Sequence, residues 1–255
     1  MLDRSLLLMG KGYGIKEDVP IYAVLLNTSD GYVLVDTGMN PDGVTNPEMT
    51  WGCRAKELVP TVVKEDDIRN RLKEIGVDVD DIKYVINTHM HWDHTGGNRF
   101  FEKSTFIVQN EEYRYAYFPD NALKSSYMKN HFDYNLNYNL ISGDYDVCEG
   151  VRVLSTPGHT AGHQSVLAIF EGGGSLIIGG DAVYTYDNFK NVIPPGNCYD
   201  QKLAVLSLHK LRTIQMLTNA EMLPSHEPHI HFYEQADLIT ERLKLPVKSN
   251  KMKKL

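Results

Sequence analysis

The chain has 255 residues, 42% hydrophobic and 23% charged, a composition that excludes a disordered or fibrous protein and supports a sizeable globular core. Its formal net charge of −7 gives nucleic acid no electrostatic footing and would repel polyanionic substrates unless a metal site overrode it locally. The three cysteines, Cys53, Cys148 and Cys198, are far apart and in no paired motif, so they read as free thiols of a reducing compartment.

In chain order, the N-terminal MLDRSLLLMGKGYG carries an apolar run too short for a signal peptide. Nothing in the chain approaches the roughly 20 apolar residues of a membrane span, so a soluble, cytoplasmic protein is expected. PIYAVLLNTSDGYVLVDTG reads as two β-prone runs around a Ser-Asp-Gly turn, a hairpin. Residues 41–60 show no period and read as a long loop beside the core. EDDIRNRLKEIGV has Ile68, Leu72 and Ile75 at helical spacing and a glycine stop. IKYVINTH is a buried strand, NRFFEK a short helix, and TFIVQN a further strand. A helical, aromatic-rich stretch is expected from Glu111 to Tyr138. Strands return at GVRVLSTPG, HQSVLAIF and GSLIIGGD, followed by a helix over DQKLAVLSLHKLRTIQM and a last strand at AEMLPSH. The Lys-rich tail at 244–255 should be solvated and frayed. No linker composition breaks the chain, so residues 1–255 are expected to form one domain, with sheet-rich halves flanked by helices in layers.

The chemistry concentrates in NTHMHWDHTGGN, Asn87 to Asn98, where His89, His91, Asp93 and His94 leave a strand end within six residues. An extended His-x-His places both imidazoles on one side of the chain, because side chains alternate with period two. Imidazole nitrogen and carboxylate oxygen are zinc-type ligands, and one ion cannot take all four without strain, which suggests two adjacent metals. The remaining candidates also follow apolar runs: His159 after a Pro-Gly turn, Asp181 in SLIIGGDAVY, and His226 in AEMLPSHEP. Alone, His159 would pass for a turn histidine, and Asp181 could bridge two cations where an unpaired carboxylate beside a core would be costly. His163 reads as structural or as supporting a ligand, His209 as a helix-face residue, and His131, His229 and His231 as solvated.

His-x-His-x-Asp-His, then a Gly-His turn, an Asp after an apolar strand and a late His resemble the metallo-β-lactamase superfamily of hydrolases, from VDTG at 35–38 to SHEP at 225–228. The resemblance implies an α+β fold, a four-layer αββα sandwich with the metals at one edge. It implies that His89, His91 and His159 hold one metal and Asp93, His94 and His226 the other, with Asp181 bridging and Asp36 supporting the ligands. Common dizinc β-lactamases carry Cys where Asp181 stands, and flavodiiron enzymes replace the second His and add a flavin domain. Nucleic-acid processors add large insertions. DAVY, TPGHTAGHQS, IVQNEEY and GDYDV resemble most the N-acyl homoserine lactonases. The departures are Trp92, where those enzymes commonly carry Phe, and the 41–60 loop; both bear on acyl-chain preference.

The resemblance therefore implies a lactone-opening hydrolase with two divalent cations, zinc first, with manganese, cobalt or iron also suited to N/O sites. A hydroxide shared by the metals would attack the carbonyl, Tyr184 would donate to the developing oxyanion, and Asp93 would carry the proton to the leaving oxygen. Trp92 is expected to wall the cavity, and Met49 and Trp51 to line an acyl channel. The alternatives are another small lactone, such as a pyridine-ring lactone, or a thioesterase of the glyoxalase II kind. The partner is a small-molecule lactone or ester, and the chain a monomer or homodimer.

Overall fold

A computed structural model describes residues 1–228; His229, His231 and the 244–255 tail lie outside the described residues. Strands β1 (Leu2–Asp3) and β2 (Lys16–Glu17) form a small ribbon around the helical turn Arg4–Leu7, which buries Leu7. Strands β3 (Val24–Thr28), β4 (Gly31–Val35), β5 (Ile82–Ile86), β6 (Thr105–Gln109) and β7 (Asn137–Ile141) make one five-stranded sheet in chain order. Strands β8 (Tyr145–Cys148), β9 (Val151–Ser155), β10 (Gln164–Ile169), β11 (Ser175–Ile178) and β12 (Glu221–Leu223) make the second, again side by side in order. The hairpin β3–β4 is antiparallel, while β4–β5, β5–β6 and β6–β7 are parallel. The second sheet is antiparallel except for β11–β12, whose parallel pairing is reached through the long helix Gln201–Thr218.

Side chains alternate across both sheets, as a period of two requires. Val33, Val35, Ile86 and Ile107 face Val151, Val153, Val166, Ala168 and Ile178 in a shared central core. The opposite faces pack outward: Leu34, Val85 and Phe106 against Leu72 of helix Ile68–Glu74, and Leu154, Leu167 and Ile177 against Leu208 and Leu211 of the long helix. Helix, sheet, sheet, helix is the four-layer sandwich expected. A polar seam crosses the core beneath one edge, where Gln164 donates to the Asn87 and Ile107 carbonyls of the other sheet and accepts from Gln109.

Two expectations need correction. The stretch from Glu111 to Tyr138 is not one helix: Asn110–Tyr117 is helical, Lys129–Phe132 is a single turn, and β7 already begins at Asn137. Pro119 cannot continue the helix, and its ring disfavours helical geometry at Phe118. Residues 41–60 hold three short pieces, Pro41–Val44, Pro47–Trp51 and Arg54–Glu57, each too brief to print a period on the sequence. Among the described residues, no helix is long and apolar enough to cross a membrane.

Candidate metal centre

Five strand ends open onto the same edge. Asp36 follows β4, His89 to His94 follow β5, His159 follows β9, Asp181 follows β11 and His226 follows β12. The chain must leave each strand sharply to converge there, and Asp36 does so at φ 59°, a backbone state a non-glycine residue holds only when its surroundings impose it. Gly180, before Asp181, sits at φ 54°, and a Cβ there would lie 2.7 Å from His163 Nε2, so only glycine admits this turn.

Two groups of ligand-type atoms result, His89–His91–His159–Asp181 and Asp93–His94–His226, each drawn from both sheets. Asp181 lies between them: its Oδ2 is 3.2 Å from His159 Nε2 and 3.6 Å from His89 Nε2, and its Oδ1 is 3.2 Å from His226 Nε2 and 3.4 Å from His94 Nε2. One oxygen thus faces each triad. Asp93 Oδ2 is 3.7 Å from His94 Nε2 and 3.9 Å from His226 Nε2, and His91 Nδ1 is 3.1 Å from His159 Nε2.

The outer ring nitrogens fix which inner ones carry a lone pair. His94 Nδ1 donates to Asp36 Oδ2 at 2.8 Å, His159 Nδ1 to the Asn197 carbonyl at 2.8 Å, and His226 Nδ1 to the Pro20 carbonyl at 2.8 Å. The Thr88 hydroxyl donates to Asp36 at 2.7 Å, which leaves its oxygen to accept from His89 Nδ1 at 3.1 Å. Asp36 therefore orients a histidine of each triad, one directly and one through Thr88. With Nδ1 protonated, each Nε2 presents its lone pair inward.

The donor set fits cations. His89 Nε2, His94 Nε2 and Asp181 Oδ1 are buried without a hydrogen-bond partner, a costly arrangement for protein alone and the ordinary one for ligands. Burial, reinforced by the neighbouring histidines, pushes His89 and His91 well below the usual imidazole range, so both are neutral donors. Burial opposes charge on His94 and His226 too, but Asp181 and Asp93, joined at His94 by Asp36, together outweigh it and raise both. The same histidines hold Asp181 well below the usual carboxylate range against its own burial. The residues are those of a site for two metal ions.

Tyr184 is buried beside this centre, its ring 5.4 Å from His159 and 5.0 Å from His226. Burial, then the charges of Asp181 and Asp93, raise its hydroxyl well above the ordinary phenol range, so it stays a proton donor. A cavity of about 560 Å³ opens from Asp93, Trp92 and His226 and runs between segments 18–23 and 58–62. Its size is that of a small-molecule site.

The structure brings together all seven ligand candidates, Asp36 and Tyr184, and puts Trp92 on the cavity wall. It does not place Met49 or Trp51 there. Met49 is 86% exposed, and Trp51 is buried behind the wall, edge-on to Trp92 at 6.0 Å and packed over Gly43. Apolar wall residues instead come from Val19, Ile21, Leu58 and Val62, which no local pattern in the sequence marks. His131 is not solvated: it is buried under the metal-centre loop with Nδ1 3.1 Å from the Trp92 carbonyl, and burial lowers it to about 4. His163 supports Asp181 from behind, accepting from the Ala182 N–H at 3.3 Å, and His209 is exposed on its helix. The carbonyls of Asn197 and Pro20 carry no residue-type signal in the sequence, and the Thr88 hydroxyl gains its role only from the fold that brings Asp36 beside it.

The sequence profile of the metallo-β-lactamase superfamily matches residues 17–226. An N-acyl homoserine lactonase from Bacillus sp is 39% identical over 217 residues, 85% of this chain and 84% of the relative. N-acyl homoserine lactonase AiiA from Bacillus thuringiensis subsp. kurstaki is 38% identical over 215 residues, 84% of each chain. A solved N-acyl homoserine lactone hydrolase with its product N-hexanoyl-L-homoserine bound at the catalytic metal centre superposes with a TM-score of 0.80 at 35% identity, covering 93% of this chain and 91% of that one. The chain belongs to the metallo-β-lactamase superfamily, in the branch that holds the N-acyl homoserine lactonases.

Proposed function

We propose that this protein is a lactonase that opens the ring of N-acyl homoserine lactones. The observation that carries the reading is the division of Asp181 between two histidine-bearing triads beside a buried tyrosine and a cavity of ligand size. In this reading His89, His91 and His159 would hold one divalent cation and Asp93, His94 and His226 the other, with a carboxylate oxygen of Asp181 available to each triad. Zinc suits the imidazole and carboxylate donors. Two such ions would supply an activated water at neutral pH and polarise the ring carbonyl.

The protein's own groups do the rest. Tyr184, kept protonated, donates to the carbonyl oxygen as negative charge gathers there. Asp93 is only partly buried and faces the cavity, so it can accept the proton of the attacking water and return it to the leaving alkoxide. Trp92 and Ile21 flank the route by which an acyl chain would lie along the cavity. Three unpaired cysteines, one of them exposed, suit a cytoplasmic enzyme.

The test is a hydrolysis panel of homoserine lactones of several acyl lengths, pyridine-ring lactones and a glutathione thioester, with metal stoichiometry measured on the same sample. Homoserine lactones should be the best substrates, with two metals per chain. Preference for the thioester, or turnover without metal, would sink the proposal.

A further inference from the structure

Glu112 lies in the first turn of helix Asn110–Tyr117 and is completely buried, yet it forms no ion pair among the described residues. A buried carboxylate survives only if donors surround it. Its Oε1 accepts from the Met90 N–H at 2.9 Å and the Tyr127 hydroxyl at 3.3 Å, and its Oε2 from the Gly162 N–H at 3.0 Å.

The origin of those donors is what matters. Met90 stands between His89 and His91, on the loop that leaves the first sheet. Gly162 belongs to the turn that carries His159 out of the second sheet. The Tyr127 ring packs edge-on against His91 at 4.8 Å. A Cβ on Gly162 would lie 2.2 Å from the Glu112 backbone nitrogen, so glycine lets this loop dock on the helix. One carboxylate thereby pins the backbone between His89 and His91 and the turn just after His159, from opposite sheets, while Asp93 and His94 lie further along the first loop. The other triad is held elsewhere, His94 by Asp36 and His226 by the Pro20 carbonyl.

We propose that Glu112 is a positioning residue that sets the cation affinity of the His89–His91–His159 triad by fastening two loops of different sheets to one carboxylate. The inference rests on the reading of both triads as cation sites. It predicts an asymmetry: losing Glu112 disturbs one triad and spares the other. Glutamine keeps the shape, but its amide nitrogen would face one of the two backbone N–H groups, so one loop is released.

The experiment titrates zinc ions into the metal-free wild type and Glu112→Gln against a chromophoric chelator. Imidazole nitrogen NMR assigns each binding step to a triad. Wild type should take up two ions. In the variant, the His89–His91–His159 triad should bind about 10–100-fold more weakly, as when a group orienting metal ligands is lost, while the other triad changes by less than about threefold. Amide exchange at Met90 or Gly162 should quicken in the metal-free variant, and kcat at saturating zinc should recover. Equal weakening of both triads, or a folded variant with unchanged affinity, overturns the proposal. If Glu112→Gln does not fold, Glu112→Asp, which keeps the charge but withdraws it by one methylene, must show the same asymmetry; full affinity at the three-histidine triad overturns it. A wild type that binds no zinc overturns the two-cation reading and this proposal with it.

Discussion

The metal edge and the adjoining cavity are built by different rules. At the edge every ligand-type side chain follows a strand, is mostly buried, and in most cases has its far atom tied to a named oxygen. The cavity is walled by segments 18–23 and 58–62, most of which lies outside strand or helix and meets only in the folded chain. Rigid strand ends suit atoms that must stay within a few tenths of an ångström. Irregular segments tolerate substitution and suit a surface that need only match a chain's length and shape. Reaction type should therefore be hard to change and substrate range easy.

The largest effect should come from the edge. Chelation should abolish lactone hydrolysis, and added zinc should restore it; undiminished turnover after exhaustive dialysis against a chelator would break the comparison at its root. Next, Tyr184→Phe should lower kcat by about 10²–10³-fold, about 2.7–4 kcal/mol, with metal content unchanged. Asp36→Asn should follow: a carboxamide cannot accept from His94, the Thr88 hydroxyl and the Thr88 N–H together, so metal affinity should fall about 10–100-fold at both triads. On the cavity side, Ile21→Trp should shift the ratio of kcat/KM for long against short acyl chains by about tenfold, about 1.4 kcal/mol, with two metals retained. The smallest change belongs to Met49→Ala, which should leave the acyl preference intact and stability within about 0.5 kcal/mol. If it altered the preference, the cavity would have to extend under the 41–57 turns.

The same division explains what could be read in advance. His89 to His94 advertise themselves because four ligand types crowd one span, and Asp181 and His226 because an apolar strand ends just before each. Strand alternation was equally plain, and with it the layers. Glu112 was invisible: on an aromatic-rich helix a single glutamate has no periodic signature, and its three donors come from positions 90, 127 and 162. His131 was misread because nothing around Lys129 and Asn130 signals that the turn lies beneath Trp92. The cavity wall failed for a related reason, since residues 18–23 and 58–62 acquire meaning only from each other. Trp51 and Met49 show the converse error, apolar residues in a loop taken for a lining when one is a buried wedge and the other faces solvent.

Neither sheet owns a whole triad: each needs a histidine from the other half of the chain. An ion seated there grips only the closed sandwich, so it acts as a rivet between the halves. At a hundredfold excess over its dissociation constant, each would add about 2.7 kcal/mol to the resistance against unfolding. The supply of free metal would then govern how long the molecule lasts as well as how fast it works, and metal starvation would thin out the enzyme by exposing unriveted chains to proteases.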